Sequence, residues 1–207
     1  DRSEYQKPES FRGEKFLIER SLDWKEDDTL NAYLPNSRKV RRLSAKERTD
    51  SFLGSEMTLE DLYGFDGQIP DYNWRYLGRK KILAVMNSKH LYPHHYGPQS
   101  RIPHDRWEIR ECLVLEHDSK YDYHSYKTQF LFIDVQNYQP TLHIIFDRED
   151  KLLRGWFPVY EWTETTENRP EDNRGARISA YKGDMMQNFQ TGKNNVYAIV
   201  NSTYPKK

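Results

Sequence analysis

The sequence predicts a mainly β domain of the α+β class, an antiparallel sheet with a few short helices. Three observations carry this. Aromatic residues make up 14% of the chain, 15 of them tyrosine, and large rings suit a pleated surface. Period-two alternation recurs along the chain. The links between alternating segments are short and rich in turn residues, which antiparallel meanders permit and parallel crossovers do not.

The elements follow in order. Phe16 to Trp24 (FLIERSLDW) alternates, with Phe16, Ile18, Leu22 and Trp24 on one side and Arg20 interrupting, and is expected to form a strand. Leu30 to Leu34 is a second. Pro35-Asn36-Ser37 then turns into Lys39 to Leu43, a hairpin with Lys39 and Arg41 on one side and Val40 and Arg42 on the other. Ser44 to Glu47 and Thr58 to Asp61 have capping-box spacing and predict two short helices. Phe52, Leu53, Met57, Leu59 and Leu62 would form their buried side.

Strands return from Asn73 (NWRYLGRKKILAVM), from Arg106 (RWEIRECLVLEH) and from His124 (HSYKTQFLFID). Trp107, Ile109, Leu113 and Leu115 are expected on one face, and Tyr126, Phe130 and Phe132 on one face of the next strand. Turns at Gln136-Asn137 and at Asp147 to Asp150 join PTLHIIF to LLRGWFPVYEW, and Val196 to Asn201 is a final strand. Asn87 to Asp105 and Thr163 to Ala176 reach or exceed the ~12–15 residues of an ordinary connection. The first, with Leu91, Tyr92 and Tyr96, is the better lid candidate.

Composition bounds the function. The 207 residues fit a single domain, 1–207. Lys+Arg and Asp+Glu both number 32, whereas a dedicated nucleic-acid domain carries a basic excess. Apolar residues are 36%, and the 10 glycines raise that to about 41%, under the usual ~45–50%. The single cysteine, Cys112, allows no internal disulfide and reads as a small buried side chain. No run of about 18 apolar residues predicts a membrane span. Asp1 opens no export signal, so an exported protein would be represented by its mature form or by a fragment.

No motif carries chemistry strongly. His90, His94, His95 and His104 suggest a metal, but Pro93 and Gly97-Pro98 deny them a shared helix face, and a solvated loop is the expected state. Neither a nucleophile elbow nor a Gly-rich phosphate loop is present. The basic run at Arg38 to Arg42 reads as a solvated strand face rather than a nucleic-acid grip. Asn201-Ser-Thr203 fits a glycosylation sequon, a triplet common by chance. The remaining feature is apolar side chains repeated along successive strand faces. They form either a closed core or, with few helices to cover them, a concave face open to a ligand.

At Tyr33 to Leu62, YLPNSRKVRRLSAKERTDSFLGSEMTLEDL resembles the outer-membrane lipoprotein-sorting family of LolA-like proteins. Members show a Tyr-x-Pro turn, a strand ending Arg-Arg-Leu, then Ser-Phe-x-Gly-Ser and a Thr-x-x-Asp-Leu helix start. These stand here as Tyr33, Pro35, Arg41, Arg42, Leu43, Ser51, Phe52, Gly54, Ser55, Thr58, Asp61 and Leu62. The segments GFDGQIPDYNWRYLGRKK, RWEIRECLVLEH, YKTQFLFID and FDREDKLLRGW resemble a related branch of uncharacterised periplasmic proteins. The chain departs from the family at Phe146 to Leu152, where a turn glycine is missing, over Asn87 to Asp105, and after Thr163.

The resemblance implies a strongly curved antiparallel sheet, a half-barrel, whose concave face shelters the acyl chains of a lipid, lipoprotein or other hydrophobe in the periplasm. It implies a carrier and not an enzyme, with no cofactor, and relatives that act beside RND-type exporters. The alternative is a non-transporting structural subunit of an envelope transporter. The lining expected on this basis is Trp107, Ile109, Leu113, Leu115, Tyr126, Phe130, Phe132 and Trp156, residues that a closed core would use equally well. Arg38, Lys39, Arg41 and Arg42 are expected at the rim, facing headgroups or a partner.

Overall fold

The computed structural model describes residues 2–4, 12–23, 25–51, 54–90, 93–98, 101–163 and 178–199. They form three antiparallel sheets. The first has four strands in the order β1 (Arg2–Glu4), β2 (Lys15–Glu19), β3 (Thr29–Leu34) and β4 (Lys39–Leu43). The expected hairpin is in place, with Tyr33 opposite Val40 and Ala32 opposite Arg41. The expected strand at Phe16 stops at Glu19. Beyond it the chain bends, Leu22 is fully exposed, and Arg20 reaches across to Asp66 at 2.6 Å.

The second sheet has seven strands. In chain order these are β5 (Tyr72–Ala84), β8 (Glu108–Ser119), β9 (Tyr126–Asp134), β10 (Pro140–Asp147), β11 (Leu152–Thr163), β12 (Ile178–Asn188) and β13 (Asn194–Ala198). Each pairs with the next, so the sheet is one continuous meander with β5 and β13 at its edges. Between β5 and β8, the stretch expected to be a lid carries a third, two-stranded sheet, β6 (His95–Tyr96) and β7 (Ile102–Pro103). Its base is tied down, since Ser88 N–H donates to Tyr160 O at 2.8 Å and Arg101 donates to Gly192 O at 2.7 Å. Residues 164–177 of the second long connection, Phe52, Leu53 and the sequon lie outside the described residues.

Both capping boxes form, and each opens a 3-10 helix, Ala45–Thr49 and Leu59–Gly64. The second is kinked at Leu62 and Tyr63 and lies between the two large sheets. Leu59 packs with Ile18 and Leu30 of the four-stranded sheet, while Leu62 contacts that cluster and also Met57, Trp156 and Met186 on the other side. Gly64 is required here. Its φ of +92° is a left-handed backbone, and a Cβ would stand 2.8 Å from the Trp156 ring.

Bulges decide which side chains share a face, two of them near the expected lining. In β9 the pairing slips between Thr128 and Tyr126, leaving Lys127 unpaired. Tyr126 therefore joins Gln129 and Leu131 and not Phe130 and Phe132, which corrects the face expected for this strand. In β5 Leu77 is the extra residue, between Tyr76 opposite Leu115 and Gly78 opposite Val114. Beyond the meander, Val85 makes a parallel bridge to Val159 of β11, four places along the sheet order from β5.

Candidate functional site

The sheet face that meets Leu59–Gly64 is polar at its centre as well as aromatic. His117 of β8 and His143 of β10 are buried, with rings 5.4 Å apart and 18° from parallel. His117 also stacks on Trp74 at 4.4 Å. Neither nitrogen of His117 has a partner in hydrogen-bond geometry among the described residues, while the Gly64 backbone lies beside the His143 ring. Burial holds both rings neutral, pushing His117 down to about 2 and His143 to about 3.

A second group surrounds the capping box. Asp61 Oδ2 accepts from the Thr58 amide at 3.0 Å, the Thr58 hydroxyl at 2.9 Å and the Tyr126 hydroxyl at 2.9 Å, with Arg154 4.0 Å away. Burial still raises its carboxyl, against the pull of Arg154. Next to it, Glu60 accepts from His124 Nε2 at 2.7 Å and from the Tyr72 hydroxyl. The His124 Nδ1 takes the Tyr126 amide at 3.0 Å, so in the neutral ring the proton sits on Nε2 and points at Glu60. Burial opposes the charge on Glu60, but His124, Tyr72 and Arg48 together hold its carboxyl below the usual range. Farther along the face, burial lifts Asp184 to about 6 beside the Tyr181 hydroxyl.

Toward β5 the same face opens. Cross-strand pairs place Tyr76 opposite Leu115, Arg79 opposite Leu113, Lys81 opposite Glu111 and Leu83 opposite Ile109, all on the side of His117. Tyr76 is 58% exposed, Leu83 62% and Ile109 71%, while Leu113, Leu115 and the adjacent Ile133 are half-buried. Three aliphatic or aromatic side chains at such exposure on one strand pair mark an interaction surface more than chance scatter. Arg79 and Lys81 lie among them, with Arg79 3.4 Å from Glu111.

The structure divides the eight expected lining residues. Ile109, Leu113 and Leu115 share the open strip. Tyr126 and Trp156, 1% and 0% exposed, are on the same face but inside the closed core. Phe130 and Phe132 are half-buried on the opposite face, where Phe130 meets Phe146 edge-on at 5.8 Å. Trp107 precedes β8 and donates to Pro103 O at 3.2 Å. Of the rim residues, Arg38 stands in the turn and Lys39, Arg41 and Arg42 lie on β4, all four exposed, with Arg41 paired to Glu47.

Sequence reasoning missed the exposed partners Tyr76 and Leu83, which alternation places opposite Leu115 and Ile109 once the hairpin register is known. His90 lies 5.1 Å from His94 and 5.9 Å from His104, ring to ring. Among the described residues no group of three or more His, Cys, Asp or Glu is placed to hold a metal. No helix there is long and apolar enough to cross a membrane.

Comparison with known structures identifies the fold. A domain described as an outer membrane lipoprotein-sorting protein domain from Vibrio parahaemolyticus superposes with a TM-score of 0.65 at 21% identity, over 95% of this chain and 67% of that one. A DUF1329 family protein from Desulfovibrio piger gives 0.62 at 17% identity, over 95% and 67%. A LolA superfamily protein from Nitrosomonas europaea gives 0.55 at 15%, over 95% and 68%. This chain thus shares the LolA-like fold and spans about two-thirds of the length of each. No curated protein matches the sequence significantly. A family model described as "Protein of unknown function (DUF1329)" matches residues 1–206, and the chain belongs to that family.

Proposed function

We propose that this protein is a periplasmic carrier that holds the acyl chain of a lipid, a lipoprotein or another hydrophobe along the open strip and passes it between envelope components. The observation that carries this is the run of exposed Tyr76, Leu83 and Ile109 continuing into half-buried Leu113, Leu115 and Ile133. The lipoprotein-sorting description of a structure with the same fold supports it. The driving force would be burial of chain, about 0.8 kcal/mol per CH₂. Arg79 and Lys81 would meet an acidic headgroup. The bridge from Val85 to Val159 supports a sheet that curves toward a half-barrel around the bound chain.

In this reading Phe130, Phe132 and Trp156 are structural, and the working lining is the β5–β8 strip. No step of it calls on catalysis. A cargo-free role beside an RND-type or other envelope transporter competes with it, because a partner subunit could cover the same strip.

The test is displacement of a fluorescent fatty acid from the purified chain. The carrier reading expects saturable uptake that falls at least tenfold in Leu83→Glu/Ile109→Glu, whose sites are already in water. Uptake unchanged by that pair, or absent from the wild type, would sink it.

A further inference from the structure

The open strip has an inner end. On its side of β8 the strip presents Ile109, Leu113 and Leu115, and the next residue on that face is His117. Exposure falls from 71% at Ile109 to 0% at His117. Trp74 of β5 stands opposite His117 on one flank and Gln129 of β9 on the other. The strip thus begins among exposed aliphatic side chains beside Arg79 and Lys81 and ends at an imidazole and an amide.

These two polar groups lack partners. Both ring nitrogens of His117, and Nε2 of Gln129 at 1% exposure, are buried without a hydrogen bond among the described residues. Buried polar atoms are nearly always bonded, because stripping water from them is otherwise costly. Stacking accounts for a flat ring at this position, 4.4 Å from Trp74 and 5.4 Å from His143. It gives no reason for an imidazole, since a phenyl ring would stack as well and leave nothing unpaired.

The third ring against His117 is Phe65, 5.1 Å away and 79° from its plane, and Phe65 meets Tyr72 and Trp74 edge-on as well. Phe65 is half-buried and follows two left-handed residues, Tyr63 at φ +54° and Gly64 at φ +92°, of which the tyrosine carries strain. It is the neighbour that an entering group would displace.

The donors and acceptors of the pair define what it can take. Burial keeps His117 neutral, and a neutral imidazole has one N–H and one bare nitrogen, to which the Gln129 amide adds further N–H donors. A hydroxyl can donate to the bare nitrogen and accept from the amide. A carboxylate has no proton to give and would bring an unpaired charge into the core. His117 stands four residues along β8 from Leu113, which faces Arg79, and at roughly 3.3 Å per residue that is about 13 Å.

We propose that the His117–Gln129 pair selects a cargo whose acyl chain carries a hydroxyl far from its head group. The hydroxyl donates to the bare imidazole nitrogen and accepts from the Gln129 amide. The inference rests on the carrier reading of the strip and adds a specificity to it. Such a chain occurs as a free hydroxy acid and as an ester.

Displacement of the fluorescent fatty acid from the full chain compares 12-hydroxyoctadecanoic acid with octadecanoic acid, each below its aggregation threshold. Wild type should bind the hydroxy acid about tenfold more tightly. That ratio should fall toward one in His117→Phe, whose ring stacks in the same place, and several-fold in Gln129→Leu. Methyl 12-hydroxyoctadecanoate binding as tightly as the acid assigns an esterified chain, and binding of the acid alone assigns a free one. Equal affinity of wild type for the two acids, or a ratio unchanged in both variants, would overturn the selectivity and leave the carrier reading standing. Failure of both acids to bind would overturn the two together.

Discussion

Acid should unfold this protein through His117 and His143. Each ring is neutral in the fold, at about 2 and about 3, against 6.5 in the open chain. Because these folded values lie below the unfolded one, their stability is fully present above pH 6.5 and is lost as the pH falls below it. At pH 5 the unfolded chain gains about 2 kcal/mol from each ring, about 4 kcal/mol together, a large part of the 5–15 kcal/mol of a typical domain. His117→Phe removes one of the two. Phe fits beside Phe65 and Trp74, 5.1 and 4.4 Å from the present ring, and discards two nitrogens that have no partner. Urea unfolding at pH 7.5 and pH 5.0 should show the variant at least as stable as wild type at the higher pH. Between the two it should lose about 2 kcal/mol less than wild type. Equal losses in both proteins would refute the reasoning.

Other sites give further expectations. Asp184, raised to about 6 from 3.8, has the opposite sign: its stability is present at low pH and is lost as the pH rises through 6. Asp184→Asn should gain about 1.4 kcal/mol on wild type between pH 5 and pH 7.5, and a pH-independent difference would contradict this. On the other sheet face, buried Arg110 grips Asp134 at 2.7 and 3.0 Å, and Asp134 also accepts the Gln136 and Asn137 amides. Asp134→Ala leaves that arginine with Gln136 at 2.7 Å and Glu108 at 3.6 Å and should cost about 3 kcal/mol in denaturant unfolding, the low end for a broken buried pair. Gly64→Ala forces a left-handed backbone and a contact at 2.8 Å, for a loss of about 2–4 kcal/mol read as a lower midpoint.

Much of the sheet was legible in the sequence because alternation survives wherever one face is buried. β3 and β8 follow it throughout and β5, β9, β10 and β11 on either side of their bulges, and the Ser44 and Thr58 capping boxes mark the starts of the two 3-10 helices they open. β12 escaped because Gly183 and an extra residue at Lys182, where Val159 and Tyr160 face Gly183 and Tyr181, interrupt its period. One unpaired residue, Lys127, was enough to put Tyr126 on the face opposite to the one expected.

The candidate sites were less legible. Ile109, Leu113 and Leu115 were identifiable as a strand face, but Trp156 and Phe130 look the same to a hydrophobic pattern and differ only in what covers them. A cleft beside the four-stranded sheet draws Asp27, Arg48, Glu60, Asp71 and Tyr121 from separate segments, and no local spacing announces such a meeting.

The central claim is that the β5–β8 strip carries a hydrophobe. Wild type and Leu83→Glu/Ile109→Glu would be purified without detergent from native cells, extracted with organic solvent and analysed by mass spectrometry. The account predicts a stoichiometric lipid or acylated peptide in the wild type and its loss from the variant, with the fold unchanged within about 0.5 kcal/mol per site. An empty wild type, or a variant that is loaded equally, would contradict it.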